Sequence, residues 1–428
     1  MTFPVTSQNG KPTRLWIVDE ASGPFRGLTL YRDHSTIIRR SILITQFLFL
    51  HTGVDRMLRN VIFLFVISIT TGFHPLWADD VARLVLTSPL PNQVIQREGF
   101  EPGRSHEHNV TGPELGYADI DVQGTRPAEL KGEFEFRVIA LKGAYGHDTD
   151  WAVLTVDEDD QTFRGPAEMV AGGWYRLEVR CVSEGKTVAA GFVEPVGVGE
   201  VFVVAGQSYA GGTNDELLKV NDPQSRVTAY DWQTKTWQVA NDPQPHVGDG
   251  GTIWPPLGDL LVPTLRVPVA FVNVSVGGTS TRQWMPEGEL HKRLVMAGNA
   301  VGAFRAVLWQ QGESDVIEKT TTETYIKNMI KIRESAAREW RFEPTWLLAK
   351  STLHPTVYND THGEERIRVA IHQLWKRPHF APGPDTDLLA GENRGDANSR
   401  RHFSGLGQRR AALLWFVSIW NLIEPPSR

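Results

Sequence analysis

Val201-Phe-Val-Val-Ala-Gly-Gln-Ser208 is the stretch on which the fold turns. An unbroken run of apolar, largely β-branched residues is the pattern of a strand buried on both faces of a parallel sheet. The run ends in small residues and a serine. In an open α/β sheet the strand ends face the crevice where ligands bind, so Ser208 is expected at that edge. A helix following it would aim its free N–H groups at charge developing nearby. Read alone, Ser208 is equally a turn residue or a helix N-cap. Its weight comes from three downstream segments that also end a strand or open a helix.

Downstream, strand-like runs recur at Val267–Val276, Ala306–Trp309 and Trp346–Lys350. Helical patterns lie between and after them. Thr322–Trp340 puts Tyr325, Met329, Ile332 and Ala336 on one face, and Glu364–Trp375 does the same with Ile367, Ala370, Ile371 and Leu374. Leu406–Leu422 closes the chain. Such alternation predicts an α/β fold with a mostly parallel sheet covered on both faces. Upstream, from Ala82 to about Pro195, short alternating runs are separated by Gly, Pro and Asp, with no convincing helix. That pattern predicts an all-β sandwich, read as an accessory domain.

The composition narrows the function. The chain has 428 residues, 41% of them hydrophobic and 22% charged, ordinary values for a globular protein with a large core. A net charge of -6 and the lack of a Lys/Arg block argue against nucleic acid as the main partner. Cys181 is the single cysteine, which excludes an intramolecular disulfide framework. The 14 tryptophans read as packing residues, with a few sugar-stacking platforms as the alternative.

The N-terminus reads as two things joined. Residues 1–56 have little globular character, and the apolar run Ile42–Leu50 is too short to span a bilayer. Met57-Leu-Arg-Asn, the apolar run Val61–Ile69 and Ala78 before Asp79-Asp80 have the layout of a signal peptide. The expectation is an upstream over-extension (1–56), a signal peptide (57–78), a β-sandwich (79–196) and a catalytic domain (197–428). The protein would be secreted or periplasmic, with no stable membrane anchor after cleavage. A retained anchor is the alternative.

Four motifs carry the chemistry. Ser208 is the candidate nucleophile, and a serine hydroxyl needs a base within reach. Gly277-Gly278-Thr279-Ser280 follows a predicted strand, and its glycine pair suits close backbone approach and an oxyanion hole. Trp309-Gln-Gln-Gly-Glu-Ser-Asp315 offers the Gln311 amide and two carboxylates at the same edge. His402 lies in the loop Arg401–Gly405, just before the last helix, and His354 is the reserve base. Arg282 and Trp284 either line a substrate groove or pack beneath the loop. Asn214 and Asp215 lie near the nucleophile or cap a following helix.

Together these motifs resemble the SGNH (GDSL-like) hydrolases, in the branch of acetylxylan esterases and sialate O-acetylesterases. The resemblance spans roughly 197–428 and implies a flavodoxin-like three-layer sandwich. It implies Ser208 as nucleophile and His402 as general base. The oxyanion hole would comprise the N–H of Ser208, that of Gly277 or Gly278, and the Gln311 side chain. Gln207 and Thr279 would join Arg282 and Trp284 in binding substrate. No metal or organic cofactor is implied, and the partner is an acetylated carbohydrate. Three positions depart from the family pattern: Tyr209 replaces Asn, Gln310 replaces His, and Ser399 stands where many members carry the acid that orients the histidine. Glu313 is the first candidate for that acid and Asp396 the second. The rival readings are a catalytically silent carbohydrate-binding protein and a broad short-chain esterase.

Overall fold

The computed structural model describes residues 81–100, 112–395 and 401–424. The expected over-extension and signal peptide lie outside the described residues, as do Asp396 and Ser399.

Ten strands come first: β1 (Ala82–Arg83), β2 (Val85–Ser88), β3 (Val94–Gln96), β4 (Tyr117–Thr125), β5 (Glu133–Ala140), β6 (Ala152–Val153), β7 (Thr155–Asp157), β8 (Thr162–Val170), β9 (Trp174–Ser183) and β10 (Lys186–Gly206). Strands β2-β4-β8-β7 form one sheet; β5, β6, β9, β1, β3 and the first half of β10 form the other. Strict alternation makes this a sandwich. Ala118, Ile120 and Val122 of β4 and Phe134, Phe136 and Val138 of β5 are buried, while their neighbours along each strand are more exposed. Phe134 stacks on Phe163 of the opposite sheet, ring centroids 5.5 Å apart.

The elements that follow are β11 (Val227–Asp231), β12 (Thr236–Val239), α1 (Trp254–Leu265), β13 (Val269–Asn273), α2 (Glu289–Val301), β14 (Ala306–Gln310), α3 (Glu313–Ile317), α4 (Thr322–Trp340), β15 (Thr345–Lys350), α5 (Thr361–Leu374), β16 (Phe380–Asp385) and α6 (Gly405–Ile423). The strand order is β12-β11-β13-β10-β14-β15-β16, parallel except for β12. Taking β10, β13, β14, β15 and β16 as strands one to five gives 2-1-3-4-5, the flavodoxin-like order. The fold class is therefore the one expected.

Alternation along β10 divides the core. Phe202 and Val204 join Leu257 and Leu261 of α1 and Trp415 and Ile419 of α6. Val201, Val203 and Ala205 face the other layer, with Leu294 of α2, Met329 and Ile332 of α4 and Ile371 of α5. Between β13 and β14 the chain changes direction across the sheet, and β10 delivers Ser208 to that switch point.

The two modules meet without a linker. β10 runs through both, pairing with β9 up to Gly197 and with β13 and β14 from Glu200 onward. At that junction Glu200 is fully buried, 2.7 Å from both Arg97 Nε and Arg305 Nε. Burial pushes its carboxyl pKa up, but the two guanidiniums overcome this and hold it below the ordinary value. Glu200→Ala would strand two cations there. The expected cost is about 3–5 kcal/mol, read as a lower urea midpoint. An unchanged midpoint would contradict this reading of the junction.

Candidate active site

Gly206 closes β10 at φ +140°, and a Cβ there would sit 2.1 Å from the Gln310 carbonyl oxygen. Only glycine fits this approach, and it lets the chain turn sharply after the strand. The expected helix is absent. Residues 207–212 form turns instead, closed by Ala210 N to Gln207 O and Gly211 N to Ser208 O, both 3.0 Å. The Thr213 hydroxyl also donates to Ser208 O, at 2.6 Å. No helix starts at Ser208, so its own turn contributes individual N–H groups rather than a helix N-terminus. The serine itself is 8% exposed.

Gly277 lies beside it, since a Cβ on Gly277 would stand 3.7 Å from Ser208 Cβ. Gly277 and Gly278 are exposed, and Gly278 has φ +70°. Among the described residues neither N–H is engaged, so both remain available to an oxyanion.

The Gln310–Asp315 segment holds that loop in place. Gln311 is fully buried, and its Nε2 donates to Asp315 Oδ2 (2.7 Å) and Thr279 O (3.2 Å) and lies 3.4 Å from Gln207 Oε1. Asp315 accepts from the Thr281 N–H and hydroxyl, each at 2.8 Å. The amide expected in the oxyanion hole thus donates to the loop beneath it. Gln207, also expected to bind substrate, is buried and accepts from Ser314 N at 3.2 Å. The Thr279 hydroxyl donates to Val276 O and accepts from Trp284 Nε1. Trp284 is fully buried, its ring set edge-on to Trp309 at 5.4 Å. It packs under the loop rather than lining a groove. Arg282 is exposed and pairs with Glu318 at 3.0 Å.

His402 comes to the same edge from α6. Its ring lies 5.3 Å from that of Tyr209, the residue after Ser208, and 6.4 Å from that of His354. Gly395 N donates to His402 O at 2.9 Å, which pins the loop on one side. Asn214, expected either near the nucleophile or as a helix cap, pins the other. Its Oδ1 accepts from Phe403 N, and its Nδ2 donates to Tyr209 O and Gly251 O, all at 3.0–3.1 Å. Asn214 caps no helix: the next one along the chain, α1, starts at Trp254. A lone Asn six residues past a serine carries no signal that would have revealed this role.

Glu313, the first candidate to orient His402, makes no hydrogen bond to it among the described residues. Its Oε1 accepts from the Ser351 hydroxyl at 2.8 Å, and its buried Oε2 has no partner. Desolvation lifts its pKa from 4.5 to about 8, outweighing the Ser351 hydrogen bond, so it is a neutral acid at pH 7. Asp396, the second candidate, lies outside the described residues. His354, the reserve base, is 7% exposed with Nδ1 unpartnered. Desolvation, aided by Arg401, His402 and Arg394, lowers its pKa to about 4. It stays neutral and is a weak proton acceptor at pH 7. Among the described residues no group of His, Cys, Asp and Glu is arranged to hold a metal ion.

Residues 198–344 match the family of carbohydrate esterases described as sialic acid-specific acetylesterases. That stretch contains Ser208, Gly277, Gly278, Gln311 and Glu313 and ends before His354 and His402. The resemblance carried by the motifs holds there. A probable carbohydrate esterase from Arabidopsis thaliana is 34% identical over 68 residues, 15% of this chain and 26% of that relative's length. Among solved structures, a carbohydrate acetylesterase from Xanthomonas citri aligns with TM-score 0.49 and 14% identity, over 78% of this chain and 73% of that one. The Arabidopsis protein's own structure aligns with TM-score 0.42 and 18% identity, over 52% of this chain and 97% of that one.

Two outcomes test this arrangement. Asn214→Ala leaves Phe403 N–H and Tyr209 O unsatisfied, and should cost about 1–3 kcal/mol by denaturant unfolding. For Glu313, the folded state keeps a proton that the unfolded chain releases between pH 4.5 and about 8. Unfolding then loses a proton, so this group's contribution falls as pH rises across that window, by a few kcal/mol in order of magnitude. Glu313→Gln removes it, so melting curves from pH 5 to 8 should show the variant gaining on the parent as pH rises. Parallel pH profiles would contradict a neutral Glu313.

Proposed function

We propose that this protein is a serine esterase that removes O-acetyl groups from carbohydrate, through an acetyl-enzyme on Ser208. The observation that carries the proposal is the convergence at the switch point: Ser208 on its turn, the exposed Gly277–Gly278 amides beside it, and the His402 loop against Tyr209. The family match over 198–344 supports ester hydrolysis and a sugar as the alcohol.

In this mechanism His402 takes the hydroxyl proton as Ser208 Oγ attacks the acetyl carbonyl carbon. The carbonyl π bond opens, and the oxyanion is met by the N–H groups of Ser208 and of Gly277 or Gly278. Collapse breaks the bond to the sugar oxygen, which leaves as an alcohol with the proton from His402. Water, deprotonated by His402, then attacks the acetyl-enzyme and releases acetate with Ser208 restored. Asp396 is the carboxylate proposed to orient His402. Gln311 and Asp315 hold the Gly277 loop, and Arg282 lies on the rim where a saccharide would enter. The layout of residues 57–78 supports export, with the protein acting outside the cytoplasm.

The test is hydrolysis of p-nitrophenyl acetate and of a longer acyl ester by the protein and by its Ser208→Ala and His402→Ala variants. The expected result is turnover of the acetyl ester that falls by about 10³-fold or more in each variant, since such residues act as a unit. Preference for the longer ester would favour a broad esterase. No turnover by folded protein would favour the silent binding protein.

A further inference from the structure

We propose that Tyr209 is a positioning residue that holds His402 in line with Ser208. This rests on the esterase reading of that pair. Tyr209 follows Ser208 in the same turn, so its backbone moves with the nucleophile. Its side chain is 1% exposed, and its contacts fall on three consecutive residues of the facing loop. The ring meets His402 edge-to-face, at 5.3 Å and 68°, and tilts against Phe403 at 4.8 Å. The hydroxyl lies 2.5 Å from Arg401 O and 3.1 Å from Leu353 O, and its one proton serves one of them at a time. Arg394 closes the cluster, its guanidinium 4.8 Å from the ring centroids of both Tyr209 and Phe403.

The side chain therefore bridges the turn bearing the nucleophile to the loop bearing the base and to the strand end at Leu353. The Asn214 side chain makes a second bridge between the same turn and loop, through Tyr209 O and Phe403 N. Two bridges fix a rotation that one would leave free. A general base must stand within about 2.6–3.2 Å of the hydroxyl it deprotonates, so the orientation of the imidazole bears directly on rate. Burial raises the phenol pKa, so the hydroxyl stays a donor to those carbonyls at any working pH. An asparagine, which the family resemblance implies at this position, is too short to supply either the ring face or the reach to Arg401 O. That difference explains why a tyrosine here is compatible with a working site.

The test compares Tyr209→Phe, which keeps the ring, with Tyr209→Leu, which removes it. Steady-state kinetics on an acetyl ester are read beside the imidazole signals of His402 in ¹⁵N-histidine-labelled protein, assigned with His402→Ala. Tyr209→Phe should lower kcat about tenfold and Tyr209→Leu about a hundredfold, with KM within about twofold, as expected for a misplaced base. Both should shift or broaden the His402 signals. Variants that melt like the parent, keep kcat within twofold and leave those signals unmoved would overturn the proposal. Should Tyr209→Leu fail to fold, Tyr209→Phe decides. Should the parent itself lack esterase activity, the esterase reading fails, and the His402 signals alone decide whether Tyr209 positions the imidazole.

Discussion

The close approach of Gly206 to the Gln310 carbonyl governs the whole sheet edge. Because the two backbones touch there, the chain leaving β10 must fold down over the end of β14 and cannot continue as a strand. β13 lies on the other side of β10, so its loop rises next to the same turn. Ser208 is held between them, with the exposed glycine amides on one side and the buried Gln310–Asp315 segment on the other. Any Cβ at position 206 would push these apart, and the serine would lose its neighbours before any chemistry was altered.

Beneath this edge two buried titratable groups, Glu313 and His354, are held in their neutral forms. Glu313 is buried and neutral, with Ser351 as its hydrogen-bond donor, and burial keeps the His354 imidazole uncharged. Asp387 binds the Thr352 and Leu353 N–H groups and pairs with Arg368, which fixes the loop carrying His354. The result is a floor in which Glu313 begins to ionise only as the pH approaches about 8. His402 reaches the edge above it on a loop tied down at Asn214, Gly395 and Tyr209.

Periodicity made much of the fold legible. The helix predicted over Thr322–Trp340 has those bounds in the structure, because Thr321 caps its start and its apolar residues recur at helical spacing. The strands around Val267, Ala306 and Trp346 are likewise present, within a few residues at their ends, whereas the one at Val201 is the last part of the longer β10, Lys186–Gly206. What escaped was structure that contradicts local preference. α1 carries Pro255, Pro256 and Pro263, yet it forms because its first turn needs no N–H donors and its buried face packs on α6. β16 contains Pro382 and Pro384 and survives as an edge strand. In the site, the motifs correctly identified which segments gather. They could not say which side chains face outward. Trp284, Gln311 and Glu313 are consumed by one another's surroundings, and that depends on contacts far apart in sequence.

A covalent acetyl-enzyme on one serine is a species that can be observed directly. The protein would be mixed with an acetyl ester, quenched in acid within the first turnovers, digested and mapped by mass spectrometry. The expected result is an added acetyl group on the peptide bearing Ser208, gone once substrate is exhausted. Steady turnover with that peptide unmodified, or acetyl carried stably by another residue, would contradict it.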